Sequence, residues 1–173
     1  MNSINFDLNK IKGFVFDVDG VLSPDCIPMH PAGEPMRMMN VKDGYAMQLA
    51  VKNGFDIAII TGGYGKSLQL RFEKLGIENI YMNAMIKLDC FNDFLQKTKL
   101  LPEEILYVGD DIPDYEIMQI VGLPVCPADA VLEIKAISKY ISHKNGGNGV
   151  ARDVIEQVMK VQGKWMLGDA FGW

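Results

Sequence analysis

Short stretches that are apolar at nearly every position recur along this chain, and between them apolar residues return at helical spacing. Residues 12–18, 55–60, 80–82, 105–108, 123–126 and 139–142 read as strands. Residues 45–52, 67–75, 88–99, 112–121, 131–137 and 150–162 read as helices. The helical period is clearest near the end, where Val150, Val154, Ile155, Val158 and Val161 fall on one side. Gly54, Gly76 and Gly122 stand just past helical stretches, and Pro113 sits where a first helical turn tolerates it. Strands without polar alternation are covered on both faces. Their alternation with helices predicts an α/β fold: a three-layer, doubly wound, Rossmann-like parallel sheet. No repeat, low-complexity segment or linker interrupts the pattern, so residues 1–173 read as a single domain. One stretch departs from it. Residues 23–40, with Pro28, Pro31, Gly33 and Pro35 around their middle, predict a small β-hairpin inserted after the first strand.

In doubly wound sheets, ligands bind beyond the carboxyl ends of the strands. Four polar clusters of this chain fall at such ends. Asp17 and Asp19 follow the first strand, two positions apart and therefore on one face, with Gly20 to turn the chain. Neighbouring carboxylates repel, and Mg²⁺ relieves such pairs together with phosphate oxygens. This predicts phosphoryl transfer, with Asp17 as nucleophile and Asp19 as acid and base; a plain Asp-Gly turn is the alternative. Thr61 and Gly62 follow the second strand and offer a hydroxyl and backbone N–H groups to a phosphoryl oxygen. Lys87 follows the third and can neutralise phosphate while holding Asp17. Gly109-Asp110-Asp111-Ile112-Pro113-Asp114 follows the fourth. There Asp110 and Asp114 can join Asp17 and Asp19 as the Mg²⁺ ligands, directly or through water, while Asp111 or Asp114 can also cap a helix.

DxDGV, a threonine after an apolar strand, a later lysine and GDDxxD, in that order, resemble the haloacid dehalogenase superfamily of phosphatases. The resemblance covers essentially the whole chain. It implies a Mg²⁺-dependent phosphatase working through an aspartyl-phosphate. Most members carry a separate cap domain, but the intervals Asp19 to Thr61 and Thr61 to Lys87 must each house a helix and a strand, which leaves no room for one. The chain is thus similar to the minimally capped, tetrameric subgroup that acts on phosphorylated 3-deoxy sugar acids. An eight-carbon acid is the leading substrate that this implies; a nine-carbon acid, keto-deoxynononate or neuraminate 9-phosphate, is the alternative. In Gram-negative bacteria the resemblance places such an enzyme in lipopolysaccharide precursor synthesis. It nominates Asn40, Val41, Lys42, Asp43, Gly44 and Arg71 as substrate contacts, with Asp19 and Lys87, and puts Arg37 at the hairpin's usual basic position. Two positions depart from the family's pattern: Gly63 and Gln48 stand where basic residues are common, with Lys66 or Arg71 as possible substitutes.

Composition narrows the partners. A net charge of −5 argues against nucleic acid. No apolar run approaches the ~20 residues of a membrane span, and the first residues lack a signal-peptide core, which predicts a cytoplasmic protein. Cys26, Cys90 and Cys126 are spaced for buried free thiols rather than for zinc or disulfides. Met29, Met36, Met38 and Met39 crowd the hairpin. Methionine surfaces adapt to partners, so hairpins of several subunits are expected to pack together, and the subgroup resemblance implies a homotetramer whose neighbours cover the site. The tail, residues 163–173, holds both tryptophans and is expected at a subunit junction, over a neighbour's active site. A phosphomutase is disfavoured by the missing cap, and a non-catalytic tetramerisation module by the four intact motifs.

Overall fold

The computed structural model describes residues 4–172, and the six apolar stretches form one parallel sheet in the order β3-β2-β1-β4-β5-β6. The strands are β1 (Gly13–Phe16), β2 (Asp56–Ile60), β3 (Asn79–Tyr81), β4 (Ile105–Val108), β5 (Leu123–Cys126) and β6 (Tyr140–Ile141). The helices are α1 (Val41–Lys52), α2 (Lys66–Lys74), α3 (Lys87–Thr98), α4 (Tyr115–Ile120), α5 (Leu132–Ile137) and α6 (Val150–Val161). The chain winds outward from β1 to β3, then returns to lay β4 against the other side of β1. Phe16 is in register with Ile59 of β2 and with Val108 of β4. The order reverses between β1 and β4, which makes their carboxyl ends the switch point where such sheets bind ligands.

Successive strand residues point to opposite faces, and two cores result. Phe14, Phe16, Ile57 and Ile59 pack with α1, α2 and α6. Val15, Ala58, Ile60 and Tyr107 pack with α3, α4 and α5. Burial on both faces is why β1 and β4 carry no charged residue. The predicted three-layer α/β architecture is therefore the observed one.

Two details differ from the sequence reading, and a third concerns the tail. Helix α1 begins at Val41, earlier than the apolar period suggests, because the Asn40 side chain accepts from the Lys42 N–H and caps it. Residues 23–40 do not form a two-stranded hairpin. Among the described residues they hold a single antiparallel bridge, Met29 to Pro35, closed by His30 N–H to the Glu34 carbonyl and Met36 N–H to the Pro28 carbonyl. Prolines at 28, 31 and 35 have no N–H to extend a ladder. Met29, Met36 and Met38 are exposed on this excursion, while Met39 packs on the core. The tail, expected at a subunit junction, makes contacts on its own chain. Trp165 meets Tyr45 of α1 edge-on, the Arg152 guanidinium of α6 lies 4.5 Å from its ring centroid, and Tyr45 Oη donates to the Ala170 carbonyl. Trp173 lies outside the described residues. The three thiols are free as expected, but only Cys126 is fully buried; Cys26, at the start of the excursion, is exposed. Among the described residues, no helix is long and apolar enough to cross a membrane.

Candidate active site

Asp17 prolongs β1: its N–H donates to the Val108 carbonyl at 3.1 Å, so it leaves the sheet beside the end of β4. The residue is 7% exposed, and its carboxylate takes the Val18 N–H on Oδ1 at 2.7 Å and pairs through Oδ2 with Lys87 Nζ at 2.8 Å. The turn that follows requires Gly20. Its φ is +83°, and a Cβ there would stand 2.0 Å from Asp110 Oδ2. Lys87 is the first residue of α3 and is buried between two acids. Its second partner is Asp114 Oδ1 at 2.7 Å, which also accepts from Tyr107 Oη at 2.6 Å. Asp114 Oδ2 accepts the Asp110 N–H at 3.1 Å. Asp114 thus fixes both Lys87 and the start of the Asp110 loop.

One lysine faces three carboxylates here. Carboxylate oxygens of Asp17, Asp110 and Asp114 lie within 4.8 Å of one another. Burial, then the Asp114 charge, pushes Asp17 up to about 7 against the opposing pull of Lys87. Burial, then the Asp17 and Asp114 charges, pushes Asp110 up to about 8. Burial disfavours the Lys87 charge, but Asp114 and Asp17 outweigh it and hold its pKa above the ordinary lysine value. The cluster carries negative charge that its own lysine does not offset. A hard cation with oxygen ligands fits that excess.

This gives a pH dependence with a definite sign. Acids with raised folded-state pKa values stabilise the fold while protonated; that contribution is whole below the unfolded carboxylate range and is lost as pH rises through the folded values. Without a divalent cation, the melting temperature should fall between about pH 5 and about pH 9, through the values of about 7 for Asp17 and about 8 for Asp110. A cation competes with those protons, so the rise in melting temperature on adding Mg²⁺ should grow across the same range. Equal Mg²⁺-induced shifts at the two ends would refute this account.

Asp17, Asp19, Thr61, Gly62, Lys87 and Asp110 line one open cleft of about 480 Å³. Thr61 is buried and its Oγ1 accepts the Gly63 N–H at 3.1 Å, which holds the loop after β2 against the cleft. Asp114 lies beneath, fully buried. The sequence-predicted phosphate cradle and carboxylates are therefore together. The Asp19 carboxylate lies apart from the Asp17–Asp110–Asp114 group of carboxylates. Arg37 holds it in a bidentate pair, Nε to Oδ1 at 2.6 Å and Nη2 to Oδ2 at 2.8 Å. Two parallel N–H···O bonds from a planar guanidinium fix the plane of the carboxylate. Sequence reasoning passed over Arg37 as a contact; the signal was the bare Gly63-Tyr64-Gly65 loop, which leaves room for a long side chain.

Of the nominated substrate contacts, Asp19 and Lys87 line this cleft, whereas Asn40, Val41, Lys42, Asp43, Gly44 and Arg71 are not among its lining residues. Asn40 caps α1, and Val41 and Lys42 are exposed beside it. Asp43 is 1% exposed and turned inward, taking the Arg152 N–H on Oδ1 at 2.6 Å to cap α6. Burial pushes it up to about 6, opposed by the Arg152 and Gly149 N–H groups. Gly44 lets Arg71 of α2 lie across α1; a Cβ there would stand 2.4 Å from Arg71 Nη2. In this chain Asp43 and Gly44 join helices to one another, and Arg37, rather than Lys66 or Arg71, fills the space over Gly63.

A family model described as haloacid dehalogenase-like hydrolase matches residues 70–154. The 3-deoxy-D-manno-octulosonate 8-phosphate phosphatase of Salmonella typhi is 40% identical over 155 residues, 90% of this chain and 82% of that one. The crystal structure of the phosphatase of that name from Moraxella catarrhalis, in complex with magnesium ion, phosphate ion and KDO, superposes with a TM-score of 0.87 at 32% identity, covering 95% of this chain and 92% of that one. The cobalt-bound form of the Haemophilus influenzae phosphatase gives 0.89 at 25% identity, covering 95% of each chain.

Proposed function

This chain belongs to the haloacid dehalogenase-like hydrolases, and from that premise we propose that it hydrolyses 3-deoxy-D-manno-octulosonate 8-phosphate to the free sugar acid and orthophosphate with Mg²⁺ as cofactor. The observation that carries the proposal is the buried Asp17–Lys87–Asp114 chain at the end of β1, with Asp110 beside it and Thr61 across the cleft. Relatives at this level of identity are phosphatases of that sugar phosphate, and one of them is seen with magnesium, phosphate and the sugar acid.

The chemistry runs through the chain's own groups. Asp17, held in place by Lys87 and the Val18 N–H, attacks phosphorus with a carboxylate oxygen. The bond to the sugar oxygen breaks, and Asp19 delivers the proton that the leaving alkoxide needs. Thr61 Oγ1 and the backbone at Gly62 meet phosphoryl oxygens. Asp19, now a carboxylate, takes a proton from water as it attacks the phosphorus of aspartyl-phosphate. Orthophosphate leaves and Asp17 is regenerated. Asp17 and Asp110 would hold Mg²⁺, with Asp114 behind them, and the ion would supply charge neutralisation for the phosphoryl oxygens.

Phosphate release from a panel of eight- and nine-carbon sugar-acid phosphates, with Mg²⁺ or with EDTA, tests the proposal. Turnover should be greatest on the eight-carbon acid and absent in EDTA. Turnover in EDTA would sink the cofactor assignment, and no turnover on any member would favour a non-catalytic module. The exposed Met29, Met36 and Met38 support association of the excursions of several chains into a homotetramer. Light scattering at micromolar concentration reads that directly, and a monomer would reject it.

A further inference from the structure

Arg37 reaches the site from the excursion and touches two separate loops there. Its side chain is 6% exposed although the excursion around it is open. Besides the two bonds to Asp19, its Nη1 donates to the Tyr64 carbonyl at 3.1 Å. The guanidinium lies where a side chain at position 63 would be: a Cβ on Gly63 would meet Nη2 at 2.3 Å, Cζ at 3.1 Å and Asp19 Oδ2 at 3.2 Å. Gly63 has no left-handed backbone angle, so room rather than conformation calls for glycine here. Gly63 in turn donates its N–H to Thr61 Oγ1 at 3.1 Å. The guanidinium therefore spans the loop after β1 and the loop after β2, and the second of these is tied to the phosphate cradle.

Asp19 needs such a hold. Its side chain is 34% exposed, beyond the end of the β1 ladder. A single carboxylate bond leaves the head free to turn, whereas two parallel N–H···O bonds fix its plane. We propose that Arg37 is a positioning residue for Asp19, and that Gly63 is a glycine so that the guanidinium can lie in its place. The inference rests on the phosphatase reading for what Asp19 does, but the contact itself does not.

The test uses the full chain as wild type, Arg37→Ala, Arg37→Lys, Gly63→Ala and the Arg37→Ala/Gly63→Ala double variant. Each is assayed on the sugar-acid phosphate and on p-nitrophenyl phosphate, which has no sugar carboxylate to recognise. Arg37→Ala and Gly63→Ala should each lower kcat on both esters, by about 10- to 100-fold, with KM little changed. The double variant should be no worse than the poorer single one, because both remove the same hold. Arg37→Lys should retain part of the activity, since it keeps the charge but not the fork. Multiplying losses, or a Gly63→Ala variant that turns over normally, would overturn the proposal. A loss confined to KM for the sugar acid would assign Arg37 to the substrate instead and overturn it equally. Limited trypsin cleavage after Arg37 reads the contact without any substrate: Gly63→Ala and Asp19→Asn should be cut faster than wild type. If wild type releases phosphate from neither ester, the phosphatase reading fails, and unchanged trypsin sensitivity in Gly63→Ala then overturns the positioning contact independently.

Discussion

Asp17→Asn should be folded and without measurable turnover. The substitution keeps the shape of the side chain but replaces the attacking oxygen with an amide that cannot form the acyl phosphate. Loss of a nucleophile that acts through a covalent intermediate costs on the order of 10⁴- to 10⁶-fold in kcat. Stability should move the other way. Burial and the Asp114 charge already push Asp17 up to about 7, so its negative form is disfavoured where it stands. An uncharged residue there relieves Asp110 and Asp114. In EDTA near neutral pH, the melting temperature of the variant should equal or exceed that of wild type, and Mg²⁺ should raise it less. Phosphate release and a thermal melt on one preparation check both halves. Turnover above about a hundredth of wild type would remove Asp17 from the nucleophile's role.

Lys87→Met should be the most destabilising single change in the site. The side chain is of similar length, so little packing is lost. What is lost is, among the described residues, the one cation in contact with both Asp17 and Asp114, and all three side chains are at least nine-tenths buried. Removing one partner of a buried ion pair leaves an uncompensated charge, at a cost of about 3–5 kcal/mol. The cost should depend on pH with the sign worked out above. Without Lys87, Asp17 holds its proton to higher pH, so the variant should approach wild type in acid and fall away as the solution is made basic. Urea unfolding in EDTA at about pH 5 and about pH 8 tests this; a difference below ~1 kcal/mol at the higher pH would mean that Lys87 is not the charge partner. Mg²⁺ should recover part of the stability, and activity should stay low, since Lys87 also holds Asp17 for attack.

The elements and motifs that were legible in the sequence share a physical cause. Strands buried on both faces must be apolar throughout, so β1, β2, β4 and β5 announce themselves, and the polar residues just past Phe16, Ile60 and Val108 stand out against them. Lys87 is legible only through its place in the order of motifs, because nothing local distinguishes a buried lysine from a surface one. What was not legible is tertiary. Asp43 belongs to a run that reads as substrate-facing, yet it caps α6, more than a hundred residues later in the chain. No local pattern records that partner. Asp19 looks like a fourth ligand by spacing, and no local pattern records that its carboxylate pairs with Arg37. The prolines of residues 23–40 are plain in the sequence, but how far they limit a paired ladder depends on which backbone N–H groups face the opposite segment, and that is set by the fold.

The central place of β1 also bears on how the chain comes to fold. The strand that carries Asp17 is made early in synthesis, but both of its sheet neighbours come later: Phe16 must wait first for Ile59 and then for Val108. Parallel pairing across such separations is slow, since a long loop closes before any contact rewards it. Until β4 docks, Asp17 has neither the Val108 carbonyl beside it nor Asp110 and Asp114 within reach. The mutually repelling acids therefore meet only when the sheet is nearly complete. A nascent chain that ends before β4 would leave one side of β1, with the nucleophile at its end, without a partner, and that edge would then be the segment most open to aggregation and to chaperone capture.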